Sequence, residues 1–167
     1  PRLRRQIVAP LAGSEGRNAK VSDIEIESVV APLAGSGDKH LKEGFAMSIE
    51  RARAYLRARG KEDRVIEFAV SSATVELAAQ ALGCQPAHIV KTMSFDCAGK
   101  TILVAAAGDV KVNSSKYKQR FGVKAKMLTA GEVESRVGHG VGGVCPFGVE
   151  PGVEVYLDES LRRFETV

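Results

Sequence analysis

Hydrophobic and polar positions over residues 47–167 switch between a helical and a two-residue period, and the switches fall at glycine, proline or small polar residues. Ile49, Ala52 and Leu56 share one helical face, with Ser48 as a good N-cap before them and Gly60 after, which predicts a helix over 49–59. Val65 to Val70 is β-branched and apolar enough for a strand, broken by Ser71 and Ser72. Thr74 then caps a second helix with an apolar face of Val75, Ala78, Ala79 and Leu82, an acid in its first turn (Glu76) and Gly83 at its end. Ile89 to Phe95 and Thr101 to Ala107 read as strands that pair as a hairpin about a turn at Asp96 to Lys100. Asn113 caps a short helix to about Phe121, and Val123 to Met127 is a candidate short strand. Thr129 to Glu132 has the form of a capping box and starts a helix through about Val137. Val153 to Leu157 is the last strand, and Asp158 to Leu161 starts a turn or helix.

This order of elements predicts a single α+β domain with a mixed, largely antiparallel sheet curved around a pocket and helices outside. Residues 1–46 differ in character. Val8 to Ser14 recurs letter for letter as Val30 to Ser36, one short repeat where a solenoid needs about three copies. We read 1–46 as an appendage whose central run, Val21 to Val30, supplies one strand or helical turn, and 47–167 as the domain.

Two features carry candidate chemistry. Period two places Ile89, Lys91, Met93 and Phe95 in one row and Val90, Thr92 and Ser94 in the other, so a lysine lies in an apolar row. Such a lysine either snorkels to an edge or meets an anion in a cavity, because an unpaired buried ammonium is costly. The second feature is Gly138 to Gly148, five glycines and a proline in eleven residues, written as a binding loop or a tight structural turn. Gly138, Gly140 and Gly143 match GxGxxG, but a helix precedes them and Cys145-Pro146 follows, the reverse of a dinucleotide fingerprint.

Charge and cysteine content narrow the picture further. The 167 residues carry a net charge of +4, which permits a phosphate-bearing partner without requiring one. The excess is concentrated: between Asp109 and Glu132 lie Lys111, Lys116, Lys118, Arg120, Lys124 and Lys126 and no acid, either a solvated face or the footprint of a phosphate backbone. Cys84, Cys97 and Cys145 form no CxxC pair, and their odd number suits a reducing, cytoplasmic setting. No run approaches the about 18 apolar residues of a membrane span. His40, His88 and His139 have no metal-ligand spacing, and GxxxxGK[ST] and GxSxG are absent. His139 is a ligand contact or a turn residue. Cys145 is a candidate nucleophile if Lys91, Lys111 or His139 activates it.

Lys91 and the glycine loop, taken together, resemble the YbaK/EbsC (ProX-like) aminoacyl-tRNA deacylases, a family that also occurs as an editing domain within some prolyl-tRNA synthetases. The likeness covers nearly all of 47–167. It rests on Ser71 to Ala79, Ile89 to Phe95, Ala107-Gly108-Asp109, Gly142 to Gly148 with its GxxxP, and Val155 to Leu161. It implies hydrolysis of the ester between a wrong amino acid and the terminal adenosine of a tRNA. Lys91 is then the essential side chain at the phosphate or ester end of the substrate, and Gly142 and Gly143 contribute through backbone. Thr92, Gly108, His139, Val144, Cys145, Pro146 and Asp158 line the substrate site, and the six basic residues hold the acceptor end of the tRNA. The same likeness implies no metal or other cofactor, and an aminoacyl-tRNA synthetase as a further candidate partner.

Two departures stand out. Many relatives have serine at the position of Cys145, and relatives continue past the position of Phe164 to Val167 with further elements, whose place we expect residues 7–30 to fill, in this chain or in a partner chain. A non-catalytic module for aminoacyl-adenosine or another small ligand, and a thiol hydrolase using Cys145, stand as alternatives to the deacylase.

Overall fold

A computed structural model describes residues 29–31, 39–67, 74–165 and 167. Its elements are β1 (Val29–Ala31), α1 (Lys39–Arg57), β2 (Val65–Glu67), α2 (Val75–Leu82), β3 (Val90–Cys97), β4 (Lys100–Ala107), α3 (Ser114–Phe121), α4 (Ala130–Val137) and β5 (Glu154–Leu157). Short 3-10 turns lie at Glu62–Arg64, Pro86–His88 and Glu159–Arg163. The main sheet has the order β3-β4-β5, the first pair antiparallel and the second parallel. This is the mixed α+β fold expected, a curved sheet with flanking helices. β1 and β2 pair in parallel, with α1 as the crossover that parallel strands require.

β4 is the central strand, and every residue from Ile102 to Ala107 is buried, which explains a continuous apolar run where a one-faced strand alternates. One face of the sheet packs Phe95, Ile102 and Val104 against Tyr117 of α3. There the rings of Phe95, Tyr117, Phe121 and Tyr156 follow one another at centroid spacings of 5.1, 4.6 and 5.0 Å. Burial pushes the Tyr117 hydroxyl up to about 12, so it stays neutral in the core. The other face packs Leu103 and Val155 against Val133 and Val137 of α4, and Ala105 and Ala107 against Leu157 and Leu161.

Local signals set most of these elements. Thr74 Oγ1 accepts from Leu77 N at 3.2 Å, Asn113 Oδ1 accepts from Ser115 N and Lys116 N, and the Thr129–Glu132 capping box is formed. The β3-β4 turn is Ala98-Gly99, both at positive φ (51° and 86°), and Asp96 Oδ1 accepts from Gly99 N at 2.9 Å. Two left-handed central residues give the twist that a two-residue hairpin needs.

Three expectations are revised. The first helix spans Lys39–Arg57 where 49–59 was expected, so the composition change at 46/47 falls inside α1. Ser48 is consequently no N-cap: it is buried mid-helix, and its hydroxyl donates to Gly44 O at 2.8 Å. Val123 to Met127 forms a single bridge, Phe95 with Met127, and no strand. Residues 68–70 of the expected Val65–Val70 strand, Ser71-Ser72 and the expected substitution by residues 7–30 lie outside the described residues, apart from Val29 and Val30 in β1.

Candidate active site

Lys91 is the second residue of β3, opposite Ala106 in the register. It is half-buried, and its Nζ donates to Gly108 O at 2.9 Å. Among the described residues no carboxylate lies within ion-pair distance of it. The nearest candidate is spoken for: Asp109 takes a bidentate pair from Arg163, Nη1 to Oδ2 at 2.9 Å and Nη2 to Oδ1 at 2.5 Å. That guanidinium holds the Asp109 carboxyl below its ordinary range.

The Gly108 acceptor is fixed by crowding. A Cβ built there would stand 2.2 Å from Pro86 O, 2.5 Å from Val75 Cγ1 and 3.1 Å from Ile89 O. The end of β4 is thus clamped between the start of α2 and the Pro86–His88 turn. Around it, Ser160 Oγ accepts from Ala107 N at 3.1 Å, Asp158 N donates to Ala105 O at 2.8 Å, and Asp158 Oδ1 accepts from Ser160 N at 2.8 Å. Asp158 therefore shapes the turn beside the Ala105–Gly108 segment. Thr92, opposite Ala105, lies in the row alternate to Lys91.

The glycine loop follows α4 at Gly138 and is held from below by α1. Gly140 N donates to Ser48 Oγ at 2.8 Å, and a Cβ on Gly140 would stand 2.6–2.8 Å from the backbone of Gly44. Arg51 Nε donates to Gly148 O at 3.0 Å, its Nη2 pairs with Glu150 at 2.6 Å, and its guanidinium lies where a Cβ of Gly138 would be. Gly44, Ser48 and Arg51 follow i, i+4, i+7 spacing, one face of α1. None of these three figured among the residues expected at the site. Gly138, Gly140 and Gly148 are therefore accounted for by close packing of α1.

Inside the loop, Gly143 N donates to Gly140 O at 3.0 Å and closes a turn in which Gly142 has φ 83°. The N–H groups of Gly142, Val144 and Cys145 have no hydrogen-bond acceptor among the described residues. Val144 packs against the Leu103, Val137 and Val155 cluster, and Pro146 is buried. His139 is fully buried with Nε2 3.0 Å from Phe147 O. Since that carbonyl only accepts, the proton is on Nε2, and Nδ1 is left bare without a partner. Burial holds the imidazole below its usual range, hence neutral. Cys145 Sγ points to the same carbonyl at 3.5 Å, and burial pushes the thiol up to about 11.

Lys91 and Gly108 are thus brought together, as are His139, Cys145 and Phe147. No hydrogen bond joins Lys91 to the loop among the described residues. Lys111, Lys116, Lys118, Arg120, Lys124 and Lys126 are all exposed, on α3 and the segments flanking it. Among them Lys126 sits 3.4 Å from Asp96. Among the described residues no His/Cys/Asp/Glu group is placed to hold a metal ion, and no helix is long and apolar enough to cross a membrane.

The mixed sheet with its flanking helices is an architecture shared with solved structures. One is a candidate trans-editing enzyme for prolyl tRNA synthetase, with TM-score 0.64 and 30% identity over 70% of this chain and 75% of that one. Residues 70–167 match the model of the aminoacyl-tRNA editing domain, and the chain belongs to that family, the YbaK and prolyl-tRNA-synthetase-associated domains. It is 48% identical over 122 residues to the uncharacterized protein YwhH of Bacillus subtilis, covering 72% of this chain and 78% of that protein. It is 28% identical over 90 residues to a proline–tRNA ligase of Lysinibacillus sphaericus, spanning 53% of this chain and 16% of the ligase.

Proposed function

We propose that the protein is a trans-acting aminoacyl-tRNA deacylase, hydrolysing the ester of mischarged tRNA. The observation that carries this reading is Lys91: a half-buried ammonium, fixed by a carbonyl and without a carboxylate partner among the described residues. A cation so placed is completed by an anion, and the terminal nucleotide of an aminoacyl-tRNA brings a phosphate next to its ester. Lys91 is the group that holds that end of the substrate.

The loop supplies the complementary element. Backbone N–H groups without internal partners stabilise charge developing on a carbonyl oxygen when they are fixed in advance. Gly142, Val144 and Cys145 are the donors for that role, and Gly143, whose N–H closes onto Gly140 O, shapes the turn. Water attacks the ester carbonyl, the C–O bond to the ribose breaks, and the ribose oxygen leaves with a proton. The ribose's free neighbouring hydroxyl orients the water. Thr92, Gly108, Pro146 and Asp158 frame the site, while His139 supports the loop from within. The exposed cations from Lys111 to Lys126 bind the acceptor end through phosphates. A synthetase that releases such tRNA is a further partner of this reading, and a cytoplasmic setting fits it. The thiol alternative is disfavoured by a Cys145 pKa of about 11.

The test is release of amino acid from a panel of mischarged tRNAs, alanyl- and cysteinyl-tRNA for proline included, by the protein and its Lys91→Ala variant. Turnover that falls by about 100-fold or more in the variant is expected, the loss of a buried charge-to-charge contact in the transition state. A folded wild-type protein that releases nothing across the panel overturns the deacylase in favour of a binding module.

A further inference from the structure

We propose that Ser48 and Arg51 of α1 are positioning residues that set the glycine loop's free N–H groups for catalysis, an inference that rests on the deacylase reading above. Ser48 is buried at 3% exposure, and its hydroxyl is used in both directions: it donates to Gly44 O and accepts from Gly140 N, each at 2.8 Å. Gly140 is the next link. Its N–H goes to Ser48 and its C=O receives Gly143 N at 3.0 Å, so the turn that presents Gly142, Val144 and Cys145 hangs from the Ser48 hydroxyl.

The backbones of Gly44 and Gly140 approach closely at this point, so that a Cβ on Gly140 would stand 2.6 Å from Gly44 C. At the loop's far end, Arg51 fixes Gly148 O through Nε and Glu150 through Nη2. The Arg51 and Glu150 side chains are 37% and 39% exposed, so solvent screens most of their attraction. What Arg51 contributes is direction, a planar fork that holds two points of the loop at once. One helix face thus pins both ends of the segment whose middle is proposed to meet the ester.

The experiment measures native-state amide exchange by NMR alongside single-turnover deacylation in Ser48→Ala, Arg51→Met and Arg51→Lys. Ser48→Ala leaves Gly140 N–H buried without an acceptor. Exchange at Gly140 and Gly143 is expected to rise about tenfold while Val104 in β4 is unchanged. The single-turnover rate falls by about tenfold with KM within about twofold, the signature of an interaction realised in the transition state. Arg51→Met gives the same pattern at the far end, partly restored in Arg51→Lys, and it carries the test should Ser48→Ala not fold.

Unchanged exchange at Gly140, exchange that rises equally at Val104, or wild-type rates in folded variants overturn the proposal. A wild-type protein without turnover overturns the deacylase itself, and the exchange rates still decide whether α1 holds the loop.

Discussion

Replacing Gly108 by alanine tests the clamp that holds the Lys91 acceptor. The added Cβ would stand 2.2 Å from Pro86 O, 2.5 Å from Val75 Cγ1 and 3.1 Å from Ile89 O. Carbon and oxygen settle at about 3.3–3.6 Å even in favourable contacts, so the first clash is short by about 1 Å. Two of the three obstructing atoms are backbone oxygens of one tight turn, which cannot swing aside as a side-chain tip would. Overpacking costs about 1–3 kcal/mol, and this site belongs at the upper end. In a chain of this size each kcal/mol moves Tm by about 2–4 °C, so a fall of about 5–10 °C is expected.

Gly131→Ala is the control. Gly131 lies exposed in the first turn of α4 with nothing within 4 Å of a built Cβ, and the same chemical change there stabilises by a few tenths of a kcal/mol, up to about 0.5, because alanine is the better helix former. Urea unfolding of the two variants therefore gives opposite signs. A Gly108→Ala protein within about 0.5 kcal/mol of wild type refutes the close approach, and so does a pair that moves in the same direction.

Three further outcomes are expected. His139 is held neutral by burial, so its folded pKa is depressed and its share of stability is full above the unfolded value near 6.5. That share is lost as pH falls; urea midpoints should decline from pH 7 to 5.5 in wild type and stay flatter in His139→Gln. With Cys84 and Cys97 replaced by serine, alkylation of the half-buried Cys145 at pH 8 should be slow, since about one thiol in a thousand is ionised, and should climb only toward pH 11; rapid labelling at pH 8 contradicts the raised thiol pKa. Lys116→Ala with Arg120→Ala should weaken tRNA binding without regard to sequence and flatten the slope of log affinity against log salt by about 1–2; an unaltered slope removes α3 from the interface.

What was legible in the chain was local. Thr74, Asn113 and Thr129 each announce a helix within four residues, while the alternation across Ile89 to Phe95 and the apolar run Thr101 to Ala107 announce the hairpin and the odd place of Lys91. The start of α1 was not legible, because Gly44 interrupts the apolar pattern and Ser48 looks like a cap. Its serine is matched to Gly140, 92 residues later, and no short window contains both. The glycines of the loop read equally as a binding loop and as a tight structural turn. Gly138, Gly140 and Gly148 make room for α1, and only a contact map separates the two uses. Gly108 gives no signal of its own: its neighbours Val75, Pro86 and Ile89 come together only in the folded sheet. The usable hint for α1 was the i, i+4, i+7 spacing of Gly44, Ser48 and Arg51, two small residues and a fork on one face.

The bonds from Ser48 to Gly140 and from Arg51 to Gly148 close chain separations of 92 and 97 residues. Contacts that distant in sequence carry a larger loop-closure cost than the hairpin and the capped helices, whose bonds are local. The residues on which the loop sets stand before position 70, upstream of the stretch that matches the family model. A graft of 70–167 into another protein carries the glycines but leaves their mould behind, and the recipient has to provide a helix with a small residue, a hydroxyl and a fork in the same order.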